Sequence, residues 1–436
     1  MSISLTDERR QMSFDHQPRV ADRELRDLLD ELPAISIEGP RAVGKTWTAS
    51  RLANTVYALD DPETLAEVRA DPRLLAQGAP PILIDEWQRF PASWDIVRRS
   101  VDRDFSPGRF ILTGSARPEA RPAHSGAGRI VTLRMWTTAL AERRPGLPSI
   151  SLASLLAGDR VEIEGACSLG LEDYASEIVS GGFPGWRNTS GRARELLSDG
   201  YLHRLAEHDF PLSGHRVRNP AALRRWLTAY AAASSSSASY ETIRDAAASG
   251  EGDKPAKSTT IAYRDTLEAM WILEPQPAWV PAASHLSRLK RSPKHHLADT
   301  ALAARLLNAT ADTLTGGDVR PQAGSGLVRS EMLGALFESM VVHDLRVCAQ
   351  PADAKVLHMR TWNDERELDA VIEHRGRVLG VEVKLGADVT GRDTRHLRWL
   401  RDRIGPGLID AVVITSGTEA YRDDGIAIIP AGLLGP

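Results

Sequence analysis

The run AISIE, residues 34–38, passes without a break into GPRAVGKT, residues 39–46, and then into WTASRLAN. A short apolar run closed by glycine reads as a buried strand and the segment after it as a helix, so the order is strand, glycine-rich loop, helix. Gly39 and Gly44 allow a backbone tight enough to aim successive N–H groups at a phosphate chain, at the positive end of the following helix. In that geometry Gly39, Pro40, Arg41, Ala42, Val43, Gly44, Lys45, Thr46 and Trp47 surround a nucleotide, with Lys45 on its β and γ phosphates and Thr46 on Mg²⁺. The competing reading is a solvated surface loop. Lysine is scarce here, seven of 54 basic residues, and Lys45 is the only one ahead of Lys254, so a lysine-rich background does not produce the match.

The flanking segments predict a parallel α/β sheet. Leu25, Leu28, Leu29 and Leu32 recur at helical spacing, and strands are expected at TVYALDD (55–61), at the ILI run ahead of Asp85 and Glu86, and at RFILTGSA (109–116). Acids at the carboxyl end of a buried strand sit where such sheets open their ligand crevice. Asp85 is expected in the Mg²⁺ shell and Glu86 beside the attacking water; in isolation, an acidic pair after an apolar run is also an ordinary strand end. Thr113 or Ser115 would contact the γ phosphate. An arginine near the developing charge assists hydrolysis, and Arg129 and Arg117 are the candidates, each of which also reads as a solubilising surface residue.

At 436 residues the chain has room for about three domains. Its net charge of −4 excludes a uniformly basic nucleic-acid coat, so any such contact needs a local patch. Two cysteines, Cys167 and Cys348, exclude a disulfide framework, and with no long apolar run and a charged start, a cytoplasmic, membrane-free protein is expected.

The middle of the chain reads as helical from 146 to 215. Then come helices around Trp226 and at 258–270, and WILEPQPAWV as a hairpin-like wing, the outline of a winged helix-turn-helix over 216–314. Lys257, Ser258, Thr259, Thr260 and Arg264 would face a nucleic-acid groove; the alternative is a protein-interaction or structural module. Pro275 to Ala298 holds no acid but carries Arg288, Lys290, Arg291 and Lys294 with His285, His295 and His296, either a phosphate-binding patch or solvated surface. After a glycine-rich linker, a helix carrying Glu338 leads into two strands, LDAVIEH and VLGVEVK, joined at Arg375 and Gly376. Residues two apart on a strand share a face, so Glu382 and Lys384 point the same way, with Asp369 on the strand before. A salt-bridged solvent face would look the same.

GPRAVGKT, LIDEWQRFP, FILTGSAR and the later GGFP (181–184) and SPKHHLADTAL (292–302) together resemble a group of bacterial and archaeal AAA-type P-loop ATPases that carry a carboxyl-terminal domain of unknown function. This chain departs from the group's pattern at WTTALAE (136–142), His296 and Ala301. The carboxyl-terminal hairpin and its GxxFE helix resemble the PD-(D/E)xK nuclease core. That resemblance implies a metal held by Glu338, Asp369 and Glu382, and a catalytic trio of Asp369, Glu382 and Lys384. The expected fold is α/β: a P-loop ATPase domain (1–145), a helical connecting region (146–215), a winged-helix region (216–314) and a nuclease-like domain (325–436). The expected function is an ATP- and Mg²⁺-dependent ATPase, with Lys45 and Glu86 catalytic, coupled to a domain acting on nucleic acid, DNA rather than RNA, in a chain open to homo-oligomer formation. The rival is a nucleotide-dependent switch that binds a protein partner through a silent nuclease-like domain. A metabolic small-molecule kinase is disfavoured, because no acceptor-binding segment is evident.

Overall fold

The computed structural model describes residues 17–114, 126–158, 161–210, 219–248, 254–280, 292–316, 325–362 and 365–436. The amino-terminal sheet has five strands, β1 (Ala34–Glu38), β2 (Thr55–Ala58), β3 (Ile82–Asp85), β4 (Phe110–Gly114) and β5 (Val131–Arg134), in the order β2-β3-β4-β1-β5. Every pair is parallel. All carboxyl ends therefore lie at one rim, and β4 separates the strand that precedes the phosphate loop from the strand that ends in Asp85. Alternation sorts the side chains between two cores: Leu83 and Ile111 face one, while Ile82, Ile84, Phe110 and Leu112 face the other.

The first of these cores does not stop at the ATPase sheet. It continues through the middle region into one face of the carboxyl-terminal sheet, taking in Tyr174, Trp226, Phe337, Val381 and Ile429. The middle region is helical, with helices at Leu171–Ser180, Gly191–Arg204, Pro220–Ala232, Tyr240–Ala246 and Lys257–Ala269. Next comes a ribbon joined by antiparallel bridges, Leu273 opposite Leu297 and Gln276 opposite Lys294. The expected hairpin within WILEPQPAWV is replaced by pairing to the SPKHH segment, because that segment's backbone supplies the complementary hydrogen bonds. Lys294, His295 and His296 are consequently buried and are not a surface patch. Arg288, Lys290, Arg291 and His285 lie outside the described residues.

Motifs of the middle region prove to be packing devices. Asp299 accepts hydrogen bonds from Gly182 N (2.7 Å) and Ala301 N (2.9 Å), capping helix Thr300–Leu306 and tying it to the GGFP turn. Gly182 O accepts from Thr138 N and Thr138 Oγ1, both at 2.8 Å, and a Cβ on Gly182 would stand 2.4 Å from Thr138 O. Gly182→Ala is therefore expected to destabilise the chain by about 2 kcal/mol or more, read as a lower thermal midpoint; an unchanged midpoint would show that the two backbones can separate freely. Nearby, Glu177 accepts from three arginines, Arg143, Arg144 and Arg187, at 3.2, 2.9 and 2.9 Å.

The carboxyl-terminal sheet has seven strands. Gly165–Ala166 (β7) lies at one edge, and the rest follow in the order β12 (Glu419–Asp423), β13 (Ile426–Pro430), β11 (Leu408–Thr415), β10 (Arg377–Lys384), β9 (Glu367–His374), β8 (Lys355–Arg360). The hairpin of β9 and β10 turns at Arg375 and Gly376, both with positive φ, the geometry whose twist suits a two-residue connection. Helix Ser325–Ala349 packs on this sheet and reaches back to the ATPase domain, where Asp344 accepts from Leu140 N at 3.0 Å. Among the described residues no helix is long and apolar enough to cross a membrane.

Candidate functional site

The loop after β1 is held in a conformation few sequences tolerate. Ala42 and Gly44 have φ of 64° and 99°, and a Cβ on Gly39 would stand 2.2 Å from Met135 O. Val43 is buried beneath the loop, and Arg41 donates to Asp209, an ion pair that joins the loop to the middle region. Trp47, at the edge, carries the Arg51 guanidinium 4.8 Å from its ring centre. Lys45 donates to Gly39 O (2.9 Å) and Pro40 O (2.7 Å). Burial lowers its pKa to about 8 although Glu86 and Asp85 oppose the shift. An arriving phosphate would replace neutral carbonyls with anionic oxygens, which make stronger hydrogen bonds to an ammonium.

Thr46 Oγ1 donates to Asp85 Oδ1 at 2.8 Å, and Thr113 Oγ1 donates to the same oxygen. Burial pushes the Asp85 carboxyl up, against the pull of both hydroxyls. A loop hydroxyl and a carboxylate in contact are the donor pair that fits Mg²⁺ beside a nucleotide's phosphates. Glu86 sits in the left-handed region at φ 52°, a strained conformation of the kind found at functional sites. Its N–H donates to Thr113 Oγ1 (3.3 Å), and its carboxylate accepts from the Gln88 amide. Gln88 had no signal of its own in the sequence.

Ser115 and Arg117 lie outside the described residues. Arg129 precedes β5, at the amino-terminal rim opposite the loop, and pairs with Asp102 at 2.8 Å, so the structure does not bring it to this chain's own phosphate site. Two arginines from outside the loop reach it: Arg19, which donates to Val43 O at 3.1 Å, and Arg134, at the carboxyl end of β5 opposite Glu38. The Arg134 Nη1 lies 3.5 Å from where a Gly39 Cβ would stand. Its guanidinium stacks 3.8 Å from the Trp271 ring centre and 4.6 Å from that of Trp136, and donates to Glu274. In so arginine-rich a chain nothing marks Arg134 in advance. The helix Ser325–Ala349 and the residue after it complete the junction. Arg346 donates to Glu274 O (3.0 Å), Gln350 to Arg134 O (2.8 Å), and Trp136 to Gln350 Oε1 (2.8 Å).

The second cluster lies at the carboxyl-terminal domain, where the structure brings Glu338 and Asp369 together on Lys294. Lys294 Nζ stands 2.8 Å from Glu338, 3.0 Å from Glu367 and 2.9 Å from Asp369. Asp369 also accepts from Val383 N at 2.9 Å. Burial alone would raise Asp369, but the charge and hydrogen bond of Lys294 hold it below the usual carboxylate range. Glu338 is pushed up to about 8 by burial and by Asp369. Lys384 pairs with Glu382 at 3.3 Å on the face they share. Burial and Asp369 raise the Glu382 carboxyl. The metal set expected at Glu338, Asp369 and Glu382 is not formed as drawn from sequence: among the described residues no group of three His, Cys, Asp or Glu stands ready to hold a metal ion. Lys294, expected from sequence in a phosphate-binding patch or a solvated surface, stands instead on Glu338, Glu367 and Asp369.

A five-stranded parallel sheet in this order, a phosphate loop after its first strand and an acid-hydroxyl pair at its rim make a P-loop ATPase-like α/β domain. Residues 31–143 match the family described as AAA domain. Residues 171–313 and 333–434 match two families described as domains of unknown function, DUF8612 and DUF4143. Over 380 residues the chain is 29% identical to uncharacterised proteins of Mycobacterium bovis and Mycobacterium tuberculosis, covering 84% of this chain and 73% of each of them. A Walker-type ATPase of Pyrococcus abyssi shares 15% identity at a TM-score of 0.39, over 67% of this chain and 96% of that one.

Proposed function

We propose that the chain is a cytoplasmic ATP-hydrolysing switch in which nucleotide state repositions the middle region against a nuclease-like domain that acts on nucleic acid, DNA rather than RNA. The observation that carries this reading is the Arg134–Glu274 pair. Arg134 lies beside the phosphate loop, and Glu274 belongs to the ribbon that also carries Gln276, whose amide donates to Asp369 O at 2.9 Å. A change in charge at the loop acts on a largely buried arginine, and its carboxylate partner lies two residues ahead of Gln276, which touches the second cluster. Titrating labelled duplex DNA at two salt concentrations tests the reading: saturable binding that weakens steeply as salt rises is expected, because phosphate contacts release counterions. Weak, non-saturable binding at physiological salt would sink it.

One observation favours a second reading, a switch that binds a protein partner. With Lys294, His295 and His296 buried, the expected basic stretch is reduced among the described residues, and Arg264 and Lys257 face Asp265 at 2.7 Å and Glu241 at 4.0 Å. That reading expects no cleavage of DNA or RNA with Mg²⁺ or Mn²⁺. Cleavage that disappears in Lys384→Ala would exclude it.

A further inference from the structure

Where the ATPase domain meets the middle region, the chain gathers more positive charge than the acids beside it balance. Helix Leu171–Ser180 carries Glu177 and Ser180 three residues apart, so both stand on one face of its last turn. Arginines from three segments converge there: Arg143 and Arg144 from the end of the ATPase domain, Arg187 after the GGFP turn, and Arg194 from helix Gly191–Arg204. Glu177 accepts from Arg144 at 2.9 Å on one oxygen, and from Arg187 at 2.9 Å and Arg143 at 3.2 Å on the other. Arg194 reaches no acid among the described residues. It donates to Ser180 Oγ at 2.6 Å and to Thr189 O, and its Nε is buried with no hydrogen-bond partner. Burial, and then the Arg187 charge, lower its pKa against the pull of Glu177, the mark of like charges side by side. Neighbouring acids are committed elsewhere, Glu142 to Arg19, and Glu195 and Asp199 to Arg305. Arg143, 2% exposed, belongs to the interior, with the buried Asp344 carboxyl in its field. Arg144, Arg187 and Arg194 are left sharing one carboxylate, an excess of two positive charges. Capping of the helix end accounts for Arg143 and Arg187, which donate to Glu177 O at 3.1 Å and Gly181 O at 3.2 Å, and does not account for the other two.

We infer that Arg144, Arg187 and Arg194 form a second anion site, apart from the phosphate loop, which takes the phosphomonoester group of a small molecule. Charge selects the ligand. A phosphomonoester carries about −1.5 to −2 at pH 7 and so matches the excess, whereas a phosphodiester or a carboxylate brings a single charge. Shape agrees with charge, because planar guanidinium forks pair their N–H groups with the oxygens of a phosphate. Arg144 engages Glu177 through Nε and has both Nη groups to offer, and Arg194 has its Nε. Solvent reaches the cluster, with the Arg144 side chain 47% exposed and that of Arg187 20% exposed. The inference requires neither nucleotide turnover nor action on nucleic acid.

The test titrates methyl phosphate into the full chain carrying Lys45→Ala, which removes the ammonium of the phosphate loop, at constant ionic strength, with binding read from the phosphorus resonance. Saturable binding is expected. In the same background Arg144→Gln and Arg194→Gln are each expected to weaken it about tenfold or more, the loss of one charge-assisted hydrogen bond. Arg73→Gln, at an exposed arginine that pairs with Asp71, is expected to leave it unchanged. Dimethyl phosphate, a diester with one charge, is expected to bind about tenfold more weakly or worse. Binding undiminished in Arg144→Gln, or diminished equally in Arg73→Gln, would overturn the inference, as would a diester that binds as tightly or a methyl phosphate that does not bind. Where Arg194→Gln is poorly folded for want of its contacts with Ser180 and Thr189, Arg144→Gln, at the most exposed of the three, decides alone.

Discussion

Glu86→Gln is expected to bind ATP as wild type does and to hydrolyse it about 10²- to 10⁴-fold more slowly, the range that a positioned general base supplies. The backbone of Glu86 is held in the left-handed region, with its N–H on Thr113. Those constraints fix where its carboxylate can swing once it leaves Gln88, and glutamine keeps the size and the reach. What glutamine lacks is the negative charge that accepts a proton from water. Steady-state turnover alongside equilibrium binding of a labelled nucleotide separates the two effects. Unaltered turnover would show that another group activates water, whereas a matching loss of binding would show that Glu86 supports the loop.

Glu177→Gln is expected to cost about 3–5 kcal/mol of stability at neutral pH, because it leaves the buried Arg143 guanidinium facing a neutral amide. Arg143 has 2% of its side chain exposed and Glu177 has 4%. Burial would raise the Glu177 carboxyl, but Arg143, Arg187 and Arg144 together bring it down to about 2 from an ordinary 4.5. A depressed folded-state value means that the stabilisation is complete above about pH 4.5 and is lost as pH falls toward 2. The thermal midpoints of wild type and variant should therefore lie far apart at pH 7 and converge near pH 2. A gap that stayed constant across that range would mean that the ion cluster is not its source. The consequence is structural: Glu177 fastens the end of the ATPase domain to the GGFP turn through Arg143 and Arg187.

The two candidate sites were legible to different degrees for a physical reason. The phosphate loop is continuous in sequence. Its strand, its glycines and its following helix are neighbours along the chain, so Gly39 to Thr46 could be placed from spacing alone, and its place at the carboxyl end of a buried strand put Asp85 at the same rim. Thr113 was legible as well, because the strand expected at 109–116 ends in small hydroxyl residues; β4 stops one residue beyond it, at Gly114. Arg134 and Gln88 were not, since neither residue type nor periodicity sets them apart. In the carboxyl-terminal hairpin the period of two correctly put Glu382 beside Lys384, and the turn fell at Arg375 and Gly376 as expected. Lys294 was misplaced because an acid-free run of basic residues usually means solvent. Only the ribbon pairing, made with residues some twenty positions earlier, turns that lysine inward.

The sequence alone determined the elements whose signals are local: the strand, loop and helix that cradle phosphate, the apolar runs that make β3 and β4 strands, and the turn between β9 and β10. The tertiary structure decided which charges meet. Arg134 found Glu274, Arg41 found Asp209, and Lys294 stands on Glu338 and Asp369, two of the three acids expected to hold a metal with Glu382, and on Glu367. Such pairings depend on distances between segments remote in the chain, and a buried charge must find an opposite one wherever the fold brings it near.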